Sequence, residues 1–340
     1  MKEIRKKARE LMKGYCRVCP VCDGRACAGE VPGMGGIGTG SAFRNNIAAL
    51  AEVTLNMRLL HDVCDPDPSV KILGLDLSLP VLAAPIGGIS FNMGGGIEEH
   101  EYVDAVLGGC KEMGTIGCTG DGVPEFLYKS AFEGLAKMNG YGIPFIKPWE
   151  GDELDEKIGM AAKSKPPVFG MDIDAAGLIT LRLMGRPVSP KSVKELTAIV
   201  EKIHKLGAKF ILKGVMDPDE ARLAADAGVD AIVVSNHGGR VLDHTPGTAE
   251  VLPAVVEAVK NKLTIIVDGG IRDGFDVLKV MAMGADCAMI GRPFCTAAIG
   301  GSREGVVKYL ESIMGQLKQA MVLTGCRDMA SVGQHILYNY

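Results

Sequence analysis

From Pro80 onward, short apolar runs rich in β-branched residues alternate with longer segments whose apolar positions recur at helical spacing. Eight of these runs read as strands: 80–87, 114–120, 143–149, 167–174, 209–215, 231–238, 264–271 and 287–294. Several are apolar at nearly every position, as expected of parallel strands covered on both faces. The intervening segments carry helix signals. SPKSVKELTAIVEKIHKLG pairs Ser189 with Pro190 at its start, and it ends in glycine, as does DPDEARLAADAG. Eight βα units in about 245 residues match the usual size of a parallel barrel. The pattern therefore predicts an α/β protein, a (β/α)8 barrel over 80–340; a doubly wound open sheet is the alternative.

Residues 1–79 break this rhythm and read as a helical, cysteine-rich extension. They hold a basic run, KEIRKKAR, expected to form a solvated amphipathic helix. A cysteine cluster follows, then the glycine-rich EVPGMGGIGTGSA, then a helix from about Phe43 to His61. At 340 residues and 47% hydrophobic, the chain has enough apolar material for a large core. A formal charge of -4 with scattered Lys and Arg gives no footprint for nucleic acid. The absence of a bilayer-length apolar run, and a start too charged for a signal peptide, predict a soluble, cytoplasmic protein.

In such a barrel the chemistry sits at the C-terminal ends of the strands. Polar residues fall there: Asp172 and Asp174, Lys213, His237 and Arg240, Asp268 and Arg272, and Arg292. VDGGIRDG and IGRPF close the last two strands with glycines and an arginine each, the residues that let backbone N–H groups and a guanidinium meet an anion. A phosphate held by Gly270, Gly291, Arg292 and Arg272 is the expectation. Lys213, ending an apolar strand, can form a Schiff base or stabilise negative charge on a bound group. In SNHGGR, His237 is a base suited to neutral pH, and Arg240 is a bidentate partner for a carboxylate. Gly238 and Gly239 between them are expected to let substrate or cofactor lie against the backbone. Only one terminal phosphate site is visible, and no G-x-G-x-x-G follows a strand, which argues against a dinucleotide cofactor.

LKGVMDPDEARLAADAGVDAIVVSNHGGRVLD and DGGIRDGFDVLKVMAMGADCAMIGRP resemble the FMN-dependent α-hydroxy acid oxidases and dehydrogenases, such as glycolate and lactate oxidases. The resemblance runs from roughly residue 43 to 330. It implies bound FMN and oxidation of a 2-hydroxy acid to a 2-oxo acid, with a partner electron carrier or dioxygen as acceptor, in a homotetramer. It makes His237 the base, Arg240 the carboxylate clamp, and Lys213 the stabiliser of reduced flavin. Ser235 would contact the flavin, and Pro85, Ile86 and Gly87 would border its ring. Asp268, Gly270, Arg272, Gly291 and Arg292 would hold ribityl and phosphate. In MDID, Asp172 fits the family's histidine-orienting aspartate best, with Asp174 on the same strand face by alternation. The family's substrate tyrosines have no counterpart: VPGMGGIGTGSA and IKPW, with Lys147, stand where they are expected.

Ten cysteines in a chain with no secretory features point to ligands or redox groups rather than disulfides. Cys16, Cys19, Cys22 and Cys27 are spaced C-x2-C-x2-C-x4-C, close to the ferredoxin run that ends x3-C-P. Such spacing suits a [4Fe–4S] cluster or a zinc, with free thiols or a redox disulfide as alternatives. No such motif belongs to the family pattern. The other six cysteines read as small core residues. Two rival functions remain at this stage: a Schiff-base aldolase using Lys213, and a flavin- or metal-binding redox sensor that does not turn over.

Overall fold

The computed structural model describes residues 1–186 and 188–338. In chain order the extension contributes α1 (Lys2–Leu11), α2 (Ser41–Glu52), β1 (Val70–Ile72) and β2 (Leu75–Leu77). The barrel strands are β3 (Val81–Ile86), β4 (Ile116–Thr119), β5 (Ile143–Ile146), β6 (Val168–Asp172), β7 (Lys209–Val215), β8 (Ala231–Val234), β9 (Thr264–Val267) and β10 (Cys287–Ile290). The later helices are α3 (Ile89–Asn92), α4 (Glu99–Glu112), α5 (Glu125–Lys137), α6 (Asp152–Ala162), α7 (Ile179–Leu183), α8 (Val193–Lys205), α9 (Pro218–Asp226), α10 (Thr248–Val259), α11 (Gly274–Ala282) and α12 (Arg292–Thr324). Among the described residues, none of these helices is long and apolar enough to cross a membrane.

β3 to β10 pair in sequence order, and β10 closes onto β3, all in parallel. All eight expected strands are present, and the open sheet is excluded by the β10–β3 pairing. The apolar side chains divide into two cores. One lines the barrel interior and includes Leu82, Ile116, Phe145, Val168, Ile211, Val233, Ile266 and Met289. The other joins the outer strand faces to the helices.

The β1–β2 hairpin was not legible in the sequence. Leu73 (φ 51) and Gly74 (φ 80) form its two-residue loop, the left-handed pair that matches strand twist. Ile72 and Leu77 bury into the interior core, so the hairpin closes that end of the barrel. Each fully buried side chain of this size contributes about 1.5–3 kcal/mol.

Several local expectations shift. α8 is capped by Ser192, not Ser189; its hydroxyl accepts from the N–H of Glu195, whose carboxylate accepts from the N–H of Ser192. The helix expected to reach His61 stops at Glu52. Beyond it the backbone is extended and bonds to the C-terminal segment: Asn56 N–H donates to Ile336 and Tyr338 N–H to Thr54. Those tertiary bonds satisfy the backbone that a longer helix would have paired internally.

α1 forms as expected but is more than a solvated surface. Ala8 and Met12 are fully buried, and Gly300 on α12 leaves no room for a Cβ because the Ile4 carbonyl lies against it. Through these contacts residues of the extension enter the same core as the barrel helices.

Candidate active site

The C-terminal strand ends open into a cavity of about 670 Å³. His237, Arg240, Lys213, Asp172, Asp268, Arg272 and Arg292 all line it, together with Pro85, Ile86, Gly87, Gly270 and Gly291. Ser235 lies directly beneath, fully buried. Sequence positions from six different strand ends are thus brought to one space.

His237 sits in a turn of three consecutive left-handed residues: His237 (φ 56), Gly238 (φ 64) and Gly239 (φ 78). A histidine there is held against its own preference, so something must fix the turn. Asn236 does so. Its amide oxygen accepts from Gly239 N–H (3.1 Å) and from Asn46 Nδ2 (2.8 Å), and its Nδ2 donates to Asn46 Oδ1 (3.1 Å). This fully buried amide pair ties α2 to the end of β8. The two glycines are also required by the protein's own packing, and Gly238 lines the cavity as well. A Cβ on Gly238 would lie 2.6 Å from Arg292 Nη1, and one on Gly239 would strike the Phe43 backbone. They admit the Arg292 guanidinium and the start of α2.

The imidazole Nδ1 lies 2.8 Å from Asp174 Oδ1. A carboxylate only accepts, so in the neutral ring Nδ1 carries the proton and Nε2 the lone pair. This corrects the assignment of Asp172 as the orienting aspartate. β6 ends at Asp172 and the chain tightens into a 3-10 turn over Ile173–Gly177. The turn ends the period-two alternation and swings Asp174 under the ring. Asp172 instead pairs with Lys147 Nζ at 2.9 Å, and both are nearly buried.

Lys213 lies among acids. Its Nζ donates to Ser235 Oγ (3.0 Å) and stands 3.6 Å from Asp268 Oδ2 and 3.8 Å from Asp174 Oδ2. Burial alone would lower its pKa, but Asp174, Asp268 and Asp172 outweigh burial and hold it above the ordinary lysine value. Burial opposes ionisation of Asp174 too, yet His237 and Lys213 keep its carboxyl below the usual range. Asp268 goes the other way, raised chiefly by burial. A Schiff-base lysine must be readily neutral; a lysine stabilised in its charged form is the opposite arrangement. Asp172, Asp174 and His237 are also the one group of three ligand-type side chains, among the described residues, with donor atoms within 4.8 Å of one another. Lys147 and Lys213 already supply cations to both carboxylates, so the cluster needs no metal to balance it.

Arg240 is half-buried, bonding the Gly33 carbonyl and Asn92 Oδ1 (3.0 Å). Burial and the nearby Arg292 lower its pKa to about 10. Its direct hydrogen-bond partners are uncharged, and it faces the cavity. Neither Asn92, on the short α3, nor the Gly33 carbonyl could have been picked out by sequence pattern. Lys147 was noted only as standing where a tyrosine was expected. Its position is fixed by a buried network: Asp121 accepts from Lys147 N–H (3.1 Å), Trp149 Nε1 (2.6 Å) and Lys157 Nζ (2.7 Å).

At the other pole, Arg292 lies 3.9 Å over the Phe43 ring and donates to the Met34 (2.8 Å), Gly35 (3.1 Å) and Gly238 (3.1 Å) carbonyls. Arg272 donates to the Ile271 (3.0 Å) and Cys22 (3.2 Å) carbonyls. Asp268 Oδ1 and Arg272 Nε are buried without a hydrogen-bond partner. Two lone guanidinium groups, an orphan acceptor and an orphan donor along one wall suit a polyol phosphate, and the open backbone of Pro85–Gly87 suits a flat ring. Glu99 fixes that backbone by accepting from Gly88 N–H (3.0 Å) and Ile89 N–H (2.8 Å). The residues present therefore fit FMN.

Cys16, Cys19, Cys22 and Cys27 are half-buried on the loop after α1, and no three of them bring their sulfurs within 4.8 Å. Of the other six, Cys64 is exposed and the rest are buried.

Comparisons with known proteins agree with this geometry. The family described as FMN-dependent dehydrogenase matches residues 33–115 and 174–339. An L-lactate dehydrogenase of Caulobacter vibrioides is 30% identical, over 89% of this chain and 91% of that protein. One from Chromohalobacter salexigens is 30% identical over 89% of each. A crystal structure of mandelate oxidase with benzoyl-formic acid superposes with a TM-score of 0.79 at 25% identity, covering 99% of this chain and 97% of the other. With most of its length matched and its strand-end residues gathered on one flavin-sized cavity, the chain belongs to the FMN-dependent dehydrogenase family of hydroxy acid oxidoreductases.

Proposed function

We propose that the protein oxidises a 2-hydroxy acid to the 2-oxo acid, with His237 as base and Arg240 as the carboxylate clamp. The observation that carries this reading is the pairing of the two in one cavity. A histidine whose Nδ1 is anchored on a nearly buried carboxylate presents Nε2, next to a half-buried guanidinium that no carboxylate among the described residues neutralises. A substrate carboxylate would complete the bidentate fork of Arg240. Its hydroxyl proton would pass to His237 Nε2, and Asp174 would stabilise the imidazolium. Lys213, kept cationic by its acids, would hold negative charge at the cofactor edge. FMN, when bound, supplies the two-electron acceptor. Pro85, Ile86 and Gly87 would border its ring, Ser235 and Lys213 its polar edge, and Asp268 the ribityl chain. Gly270, Arg272, Gly291 and Arg292 would hold its phosphate.

The raised pKa of Lys213 speaks against the aldolase alternative. The test is a pair of measurements on purified protein. Acid should release FMN, identified by chromatography; FAD or no flavin would overturn the cofactor assignment. Anaerobic mixing with glycolate, L-lactate and L-mandelate should bleach the flavin with at least one of them. Flavin that none reduces would favour a sensor that does not turn over. Steady-state rates with dioxygen and with an artificial one-electron acceptor then separate oxidase from dehydrogenase. Sedimentation tests the homotetramer that the family resemblance implies.

A further inference from the structure

The flavin site leaves the cysteine loop unexplained. Cys16, Cys19, Cys22 and Cys27 fall within twelve residues, are unpaired, and are neither free in solvent nor sealed in a core. The loop that carries them has no regular structure. Side chains hold its carbonyls instead: Arg5 bonds Cys19 and Pro20, Arg9 bonds Arg17 (3.0 Å) and Val18 (2.9 Å), and Arg272 bonds Cys22 (3.2 Å). Three guanidinium groups therefore surround the loop, bonding its neutral carbonyls and, from Arg272, the Cys22 sulfur, with no carboxylate among these partners. A loop ringed by cations in this way is suited to an anionic centre.

The local winding points the same way. Val18, β-branched, adopts φ 45, a region such residues avoid. The result is that its N–H donates to Cys16 Sγ at 3.4 Å, two residues back. Arg272 Nη2 approaches Cys22 Sγ at 3.7 Å. N–H groups aimed at sulfur stabilise thiolate rather than thiol, and they tune iron–sulfur centres.

The sulfur positions disfavour a single zinc. Around one zinc, with Zn–S of about 2.3 Å, tetrahedral geometry sets the sulfurs only ~3.8 Å apart. No three of these sulfurs are that close. In a cubane cluster each thiolate binds a different iron, so the sulfurs stand wider. We propose that Cys16, Cys19, Cys22 and Cys27 hold a [4Fe–4S] cluster, one thiolate to each iron, beside the Arg272 wall of the cavity.

The proposal is independent of the substrate reading, because metal and flavin are measured separately. Full-length protein is produced with iron and a sulfur source and purified without oxygen. Iron, acid-labile sulfide, zinc and flavin are then quantified. About four irons and four sulfides per chain are expected, with a broad visible band that dithionite bleaches and an EPR signal on reduction. Cys19→Ala and Cys22→Ala should lose the iron and sulfide while retaining flavin, which reports that the barrel is folded. Cys64→Ala, at an exposed site outside the loop, should retain both. One zinc per chain, or no metal with all four thiols freely titratable in the native protein, would overturn the proposal. So would full iron content in the Cys19→Ala and Cys22→Ala variants.

Discussion

Replacing Asp174 with Asn keeps the size of the group under His237 but removes its charge. The structure puts 2.8 Å between Asp174 Oδ1 and His237 Nδ1, with side-chain exposures of 9% and 19%. A hydrogen bond to a charged partner in such a setting is worth about 1.5–3 kcal/mol. If that is lost where the imidazolium forms, 1.36 kcal/mol per decade makes flavin reduction roughly 10–150-fold slower. Replacing Asp172 with Asn breaks the pair with Lys147 and leaves the imidazole anchored, so a less than about tenfold effect is expected. The assay is anaerobic stopped-flow bleaching of the flavin at saturating substrate, after flavin content has been matched among the three proteins. The ranking is the test. An Asp172→Asn variant slower than Asp174→Asn, or Asp174→Asn at the wild-type rate, would refute the orienting role of Asp174.

Three further outcomes follow from the same geometry. His237→Ala should keep its flavin but reduce it at least ~100-fold more slowly, the low end for a lost general base; an unchanged bleaching rate would reduce SNHGGR to a turn. Arg240→Lys, a point charge in place of a fork, should raise KM more than it lowers kcat, and unchanged steady-state kinetics would remove the clamp. Stability should carry the signature of Asp174, whose carboxyl lies below its ordinary value because His237 and Lys213 outweigh burial. A carboxyl depressed in the folded state stabilises above its unfolded pKa of about 3.9 and ceases to do so as pH falls through the folded value. The gap in denaturant stability between wild type and Asp174→Asn should therefore be constant from neutrality to about pH 5 and narrow below it. A gap that persists undiminished at pH 3 would count against the pairing.

Periodicity was enough for the barrel. Parallel strands buried on both faces must be continuously apolar, and that signal survives in one sequence. It also placed Lys213, His237, Asp268 and Arg292 at strand ends, where a barrel keeps its chemistry. What the sequence left open depended on contacts between distant segments. Alternation along MDID could not choose between Asp172 and Asp174, because the choice is made where β6 gives way to a 3-10 turn and Lys147 arrives from β5. The reason for two glycines after His237 was equally invisible. They are set by Arg292 at the start of α12 and Phe43 from α2, more than fifty and almost two hundred residues away. Asn46 and Asn236 read as ordinary polar positions until folding buries them against each other, where each must satisfy the other's amide. Strand and helix patterns are local consequences of backbone geometry, so a sequence displays them. Hydrogen-bond partners and close approaches are settled only when the closed barrel brings its strand ends and its N-terminal extension into one space.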